Sequence, residues 1–140
     1  MLKGIAKWWA KLSYLFSLEV EAETNEINAA TAKRNAEEKR KLVVQLTAEA
    51  DAIEASIKSV AAEEEKRKQG EEYKKLTPQE QYEDQQASKK EKDAAEQIIA
   101  EKRKLAEQES KNVSDGEQVA QVLRGRAQDS RMFADKIREL

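Results

Sequence analysis

The first eighteen residues, MLKGIAKWWAKLSYLFSL, alternate apolar and polar positions with the period of an α-helix. At about 100° per residue, Leu2, Ile5, Trp8, Trp9, Leu12, Leu15 and Phe16 fall within an arc of roughly 140°, with Lys3, Lys7 and Lys11 stacked opposite. Beyond residue 18 the pattern narrows to a heptad. Val43, Leu46, Ala50, Ile53, Ile57 and Val60 alternate steps of three and four, and the same track runs back through Lys39, Ala36, Ala32, Ala29, Asn25 and Ala22. No glycine or proline interrupts residues 5–69, so residues 19–69 are predicted as one helix of about 75 Å.

Gly70 follows Lys66, Arg67 and Lys68, which suit the negative end of a helix dipole, and is expected as a left-handed C-terminal cap. Thr77, Pro78 and Glu80 then form a capping box with proline at the first helical position, predicting a second helix from Pro78 to about Lys111. Ser114 and Glu117 make another such box, which predicts a third helix to Leu140 unless residues 78–140 form one long bent arm. The second arm offers Ala95, Ile98 and Leu105 as its stripe, and the C-terminal stretch offers Val119, Leu123, Phe133, Ile137 and Leu140. The connection at 70–77 is short enough to make the arms antiparallel neighbours.

The expected fold is therefore all-α and elongated: an amphipathic helix over 1–18, an antiparallel coiled-coil hairpin over 19–111 turning near 70–77, and a C-terminal amphipathic helix over 112–140. Composition supports it. Ala, Glu, Lys, Leu and Arg fill more than half of the 140 positions, while Leu, Ile, Val and Phe supply under a fifth, too few for an ordinary globular core. Stripes this narrow bury little per residue against a backbone entropy cost of about 1–2 kcal/mol each, so self-association is expected. Val43, Leu46, Ile53, Ile57, Val60, Ile98, Leu105, Leu123, Phe133 and Ile137 are its candidate residues.

Charge is unevenly distributed. The first eighteen residues carry three lysines and no acid, and the remaining 122 carry 23 basic against 28 acidic residues. A net acidic body argues against a nucleic-acid partner. The block EEKRK stands at 37–41 and 64–68, with AEKRK at 100–104. Glu37 with Lys41, Glu63 with Arg67 and Glu64 with Lys68 have the spacing of ion pairs along one helix, although the bands also suit pairing between subunits.

With no histidine and no cysteine, the chain lacks the commonest general base, thiolate chemistry and the Glu-x-x-His motif of helical metal sites. The acids Glu63, Glu64 and Glu65 are compensated at once by Lys66, Arg67 and Lys68. No enzyme activity, cofactor or metal site is expected. Tyr73 and Leu76 mark the hairpin tip as either a contact point or a patch that packs back on the helix ends.

Lys7 and Lys11 break the only apolar stretch, leaving no run of about 20 residues to span a bilayer. Tryptophans on a wide apolar face, with lysines alone behind it, are the pattern of a helix lying in an anionic membrane interface. The membrane-binding set is Leu2, Lys3, Ile5, Lys7, Trp8, Trp9, Lys11, Leu12, Leu15 and Phe16. The competing reading folds this face back onto the hairpin's stripe, or docks it in a groove of a protein partner as part of a scaffold; a membrane-active toxin or lysis factor is a third.

An amphipathic helix bearing Trp8, Trp9 and Phe16, a charged hairpin interrupted at Gly70 and Pro78, and a further C-terminal helix together resemble the phage-shock protein A and ESCRT-III-like membrane-remodelling family. The resemblance covers most of the chain as architecture, with a shorter hairpin than the usual bacterial members have. It implies polymerisation of hairpins side by side, with N-terminal helices against the inner, cytoplasmic face of a membrane. The partners expected are thus an anionic bilayer and further copies of the chain.

Overall fold

A computed structural model describes residues 2–140. Three helices account for nearly all of them: α1 (Leu2–Gln69), α2 (Glu71–Lys74) and α3 (Pro78–Glu139), with no strand among the described residues. The protein is all-α. Two compact units divide it, Met1–Arg40 with Lys111–Leu140, and Lys41–Ser110. Neither border falls at residue 18, and α1 runs unbroken through that position. The segment expected as a separate helix is the first part of α1.

In the first unit, α1 and α3 lie antiparallel. Glu19, Glu26 and Arg40 of α1 pair with Arg138, Arg131 and Glu117 of α3, so an advance of seven or fourteen on one helix retreats by the same amount on the other. Between these pairs runs a seam of small side chains. Leu18, Ala22, Ala29 and Ala36 of α1 are buried, as are Val113, Ala120, Ala127, Ser130 and Ala134 of α3. Small residues at heptad positions let the backbones approach closely, and Gly116 faces α1 among them. A Cβ placed there would meet the Ala36 Cβ at 3.5 Å and the Ala32 carbonyl oxygen at 3.8 Å. α3 passes through Ser114 and Gly116 without the break that the capping box suggested, so residues 78–139 form one arm.

The second unit repeats the arrangement. Leu46 and Ala50 are buried on α1 with Val43, Ile53 and Ile57 half-buried beside them, opposite buried Ile99 and Ala106 on α3. Glu49 accepts a hydrogen bond from Lys102 at 2.7 Å, Glu54 pairs with Arg103, and Ser88 donates to Glu64. Arg67 reaches Asp84 at 2.6 Å.

The turn departs from expectation at Gly70. Its φ and ψ of −73° and 154° are extended, and no residue of the described chain has positive φ. Instead of closing α1 with a left-handed cap, Gly70 starts the single turn of α2, while its amide bonds the Arg67 carbonyl at 3.0 Å. Tyr73 packs back rather than projecting: it is buried, with the Arg67 guanidinium 5.7 Å above its ring, and Gln81 donates to its carbonyl oxygen at 3.2 Å. Leu76 is half-buried. The start of α3 is as predicted, since the Glu80 amide donates to Thr77 Oγ1 at 3.2 Å.

Candidate functional site: the exposed face of the first turns of α1

The seam of α1 begins in earnest at Leu18, which is only 8% exposed; two residues earlier Phe16 is 70% exposed. From Leu2 to Phe16 the large apolar side chains stand in solvent: Ile5, Trp8, Trp9 and Leu12 are all exposed, and only Leu15 and Lys11 are half-buried. The two indoles meet edge to face, with centroids 5.6 Å apart and planes at 78°. Lys3 and Lys7 are exposed on the other side. The apolar residues of the predicted membrane-binding set thus share one side of this stretch, exposed except at half-buried Leu15, with the lysines on the other side, and the segment continues α1 rather than folding back onto the hairpin stripe.

The reason lies in the helix period. The apolar arc is centred roughly 90° around α1 from the line on which Leu18, Ala22 and Ala29 meet α3. Only its edge, at Leu15, turns toward the seam. Along the border between the two, Trp9, Leu12, Leu15 and Phe16 line an open groove with Glu19 and Arg138. Arg138 bonds both Glu19 and Asp135, the latter at 3.0 Å.

The candidate self-association residues fall into two classes. Val43, Leu46, Ile53 and Ile57 on α1, and Leu123 and Ile137 on α3, are buried or half-buried in the seam within the chain. Val60, Ile98, Leu105 and Phe133 are exposed, between 45% and 58%. Val60 borders an open groove of the second unit with Ile53 and Ile57, and Lys136 lies 6.0 Å over the Phe133 ring. On α3 four positions of the stripe read from sequence are one residue early, because the seam takes Ile99, Ala106, Ala120 and Ala134 rather than Ile98, Leu105, Val119 and Phe133, while Ala95, Leu123 and Ile137 are half-buried.

Hydropathy missed what the arginines do. In each of the three repeated blocks an arginine crosses between helices, Arg40 to Glu117, Arg67 to Asp84, and Arg103 to Glu54 with Asp51 at 3.6 Å, and in the third Lys102 crosses beside it to Glu49. The guanidinium fork has the reach and planar geometry for this. The hydrogen bond from Arg67 holds the Asp84 carboxyl below the usual carboxylate range, and that from Lys102, with Gln45, does the same for Glu49.

Among the described residues no group of acidic side chains is arranged to hold a metal ion, and no helix is long and apolar enough to cross a membrane. No protein-family model matches the chain, and no curated protein or solved structure is significantly similar to it.

Proposed function

We propose that the protein binds the surface of an anionic membrane through the first turns of α1 and self-assembles there to stabilise or remodel the bilayer. The observation that carries this reading is the uncovered apolar face from Leu2 to Phe16, with two tryptophans on it and only lysines behind it. A soluble helix mixes acids into its polar face; this one has none. Each apolar side chain inserted is worth about 1.5–3 kcal/mol when fully buried, and each lysine adds on the order of 1 kcal/mol near an anionic surface. One such helix binds reversibly. Many on one assembly bind firmly, which is what joins the membrane role to self-association. The likeness in architecture to the ESCRT-III-like family supports the same pairing, on the cytoplasmic face of a membrane.

Flotation with anionic vesicles tests the proposal. The full chain rises with the lipid, Trp8→Ser with Trp9→Ser reduces this strongly, and removal of residues 1–18 abolishes it; unchanged flotation of the truncated chain would falsify the role given to the segment. The second reading, docking on a protein partner, rests on Trp8, Lys11 and Leu15 continuing the α1 heptad track upstream of Leu18. Tryptophan emission separates the two, because a blue shift on adding vesicles belongs to the first and no response to lipid belongs to the second.

A further inference from the structure

The ion pairs between α1 and α3 in the first unit form a ladder along one flank of the seam. Glu19 pairs with Arg138, Glu26 with Arg131 and Arg40 with Glu117. The register that sets these rungs contains a fourth, between Glu26 and Arg40, and it places Lys33 opposite Arg124. Two cations stand where every other rung holds an acid and a base. Both are exposed, and neither has an ion-pair partner among the described residues. No residue three or four places from Arg124 is acidic, and of those around Lys33 only Glu37 is. Flanking positions of a helix pair ordinarily carry opposite charges, so this rung weakens the hairpin where an acid at either place would strengthen it. The fold alone gives no reason for it.

We propose that Lys33 and Arg124 together bind the phosphate of an anionic lipid headgroup. This deepens the reading that the N-terminal face of α1 enters a membrane, and rests on it. The ladder lies on the side that face points to. Leu12 and Ile5, at the centre of the apolar arc, stand seven and fourteen residues before Glu19, and Lys33 stands 18 residues, five full turns, beyond Leu15 at the arc's edge. Because the arc is centred roughly 90° from the seam, inserting it lays α3 beside α1 at the bilayer surface, with the ladder toward the headgroups. Of the four arginines on this flank, Arg40, Arg131 and Arg138 are held by acids of the chain. Arg124 is left for an outside anion. A guanidinium fork and an ammonium at one rung suit the oxygens of a phosphate, and both stems are long enough to carry their charges to the interface.

Co-sedimentation with phosphatidylglycerol-rich vesicles tests the site. Lys33→Gln with Arg124→Gln is expected to lower the affinity about thirtyfold, at the usual contribution of two cations near an anionic surface. Arg126→Gln with Lys136→Gln removes the same charge from the other side of α3 and is expected to lower it by less than about threefold. Lys33→Glu separates the site from the fold, because it completes the ladder with Arg124: its melting temperature should rise while its vesicle binding weakens. A melting temperature that falls means that the two residues do not share a rung. Inorganic phosphate offers the same chemistry without lipid and is expected to leave the wild type's melting temperature unchanged. If phosphate raises it for the wild type but not for the double variant, and both bind vesicles equally, the rung holds a soluble anion and the lipid assignment is overturned. A loss no larger than the control's overturns the rung and leaves the N-terminal face standing. A wild type that binds no vesicle overturns both.

Discussion

Replacing Gly116 by alanine tests both the continuity of α3 and the closeness of the seam. Gly116 lies inside α3 with no positive φ, so alanine fits its backbone without strain. Exchanging glycine for alanine in a helix interior gains about 1 kcal/mol. The added methyl meets the Ala36 Cβ at 3.5 Å, ordinary contact distance, and recovers part of the roughly 0.8 kcal/mol that a buried methylene contributes. Gly116→Ala should therefore stabilise the chain by about 1.5 kcal/mol, or roughly 3–6 °C in Tm for a protein of this size. Gly125, where an added Cβ meets nothing within 4 Å, supplies the control, with the propensity gain of about 1 kcal/mol alone. Gly116→Leu should go the other way, because its outer atoms press on Ala32 and Ala36 and over-packing costs about 1–3 kcal/mol. Thermal melts followed by circular dichroism read all three. Gly116→Ala that melts below the wild type while Gly125→Ala melts above it would refute the reasoning, since α3 would then break at the Ser114 box or approach α1 too closely for any side chain.

Thr77→Ala should cost about 1 kcal/mol by removing the acceptor for the Glu80 amide, read as a lower urea midpoint with unchanged slope; no change would mean the cap is idle. Asp84→Asn tests the pair with Arg67. Because the folded pKa of Asp84 lies below its unfolded value, the pair contributes fully above the ordinary carboxylate pKa of about 3.9 and is lost as pH falls through the lowered one. The wild type's advantage over Asp84→Asn should accordingly be level above about pH 5 and vanish in stronger acid. An advantage that grows on acidification contradicts the assignment. Both side chains are partly exposed, so the plateau should be small.

How far the fold could be read from the residues differs between the two arms. On α1 the heptad track from Ala22 to Ile57 matches the buried and half-buried positions closely, since alanines and larger residues there share one phase. On α3 two tracks run one residue apart. The larger side chains, Ile98, Leu105 and Phe133, carry the stronger hydropathy signal, but the alanines form the seam. A seam already lined with Ala22, Ala29 and Ala36 brings the helices too close for a phenylalanine, so methyl groups win the buried position. Gly70 is ambiguous in the sequence because a glycine after a helix can end it or begin another, and here it precedes the single turn of α2. The N-terminal face was legible throughout: a wide arc with no acid behind it has no counterpart elsewhere in the chain.

The two surfaces of α1 are separated by rotation, and this has a functional consequence under the proposal. Phe16 and Leu18 are two residues apart, about 200° around the helix, and their exposures of 70% and 8% show the change of side directly. Had the apolar arc continued the seam, inserting it in a membrane would compete with closing the hairpin, and lipid would unfold what it recruits. With the arc rotated away, insertion asks nothing of the seam. Ala22, Ala29 and Ala36 stay paired to α3 while Trp9, Leu12 and Phe16 enter the interface. Vesicle binding should then leave protease protection of the hairpin intact, and a hairpin that becomes cleavable near Ala29 on adding lipid would mean that the two surfaces are coupled after all.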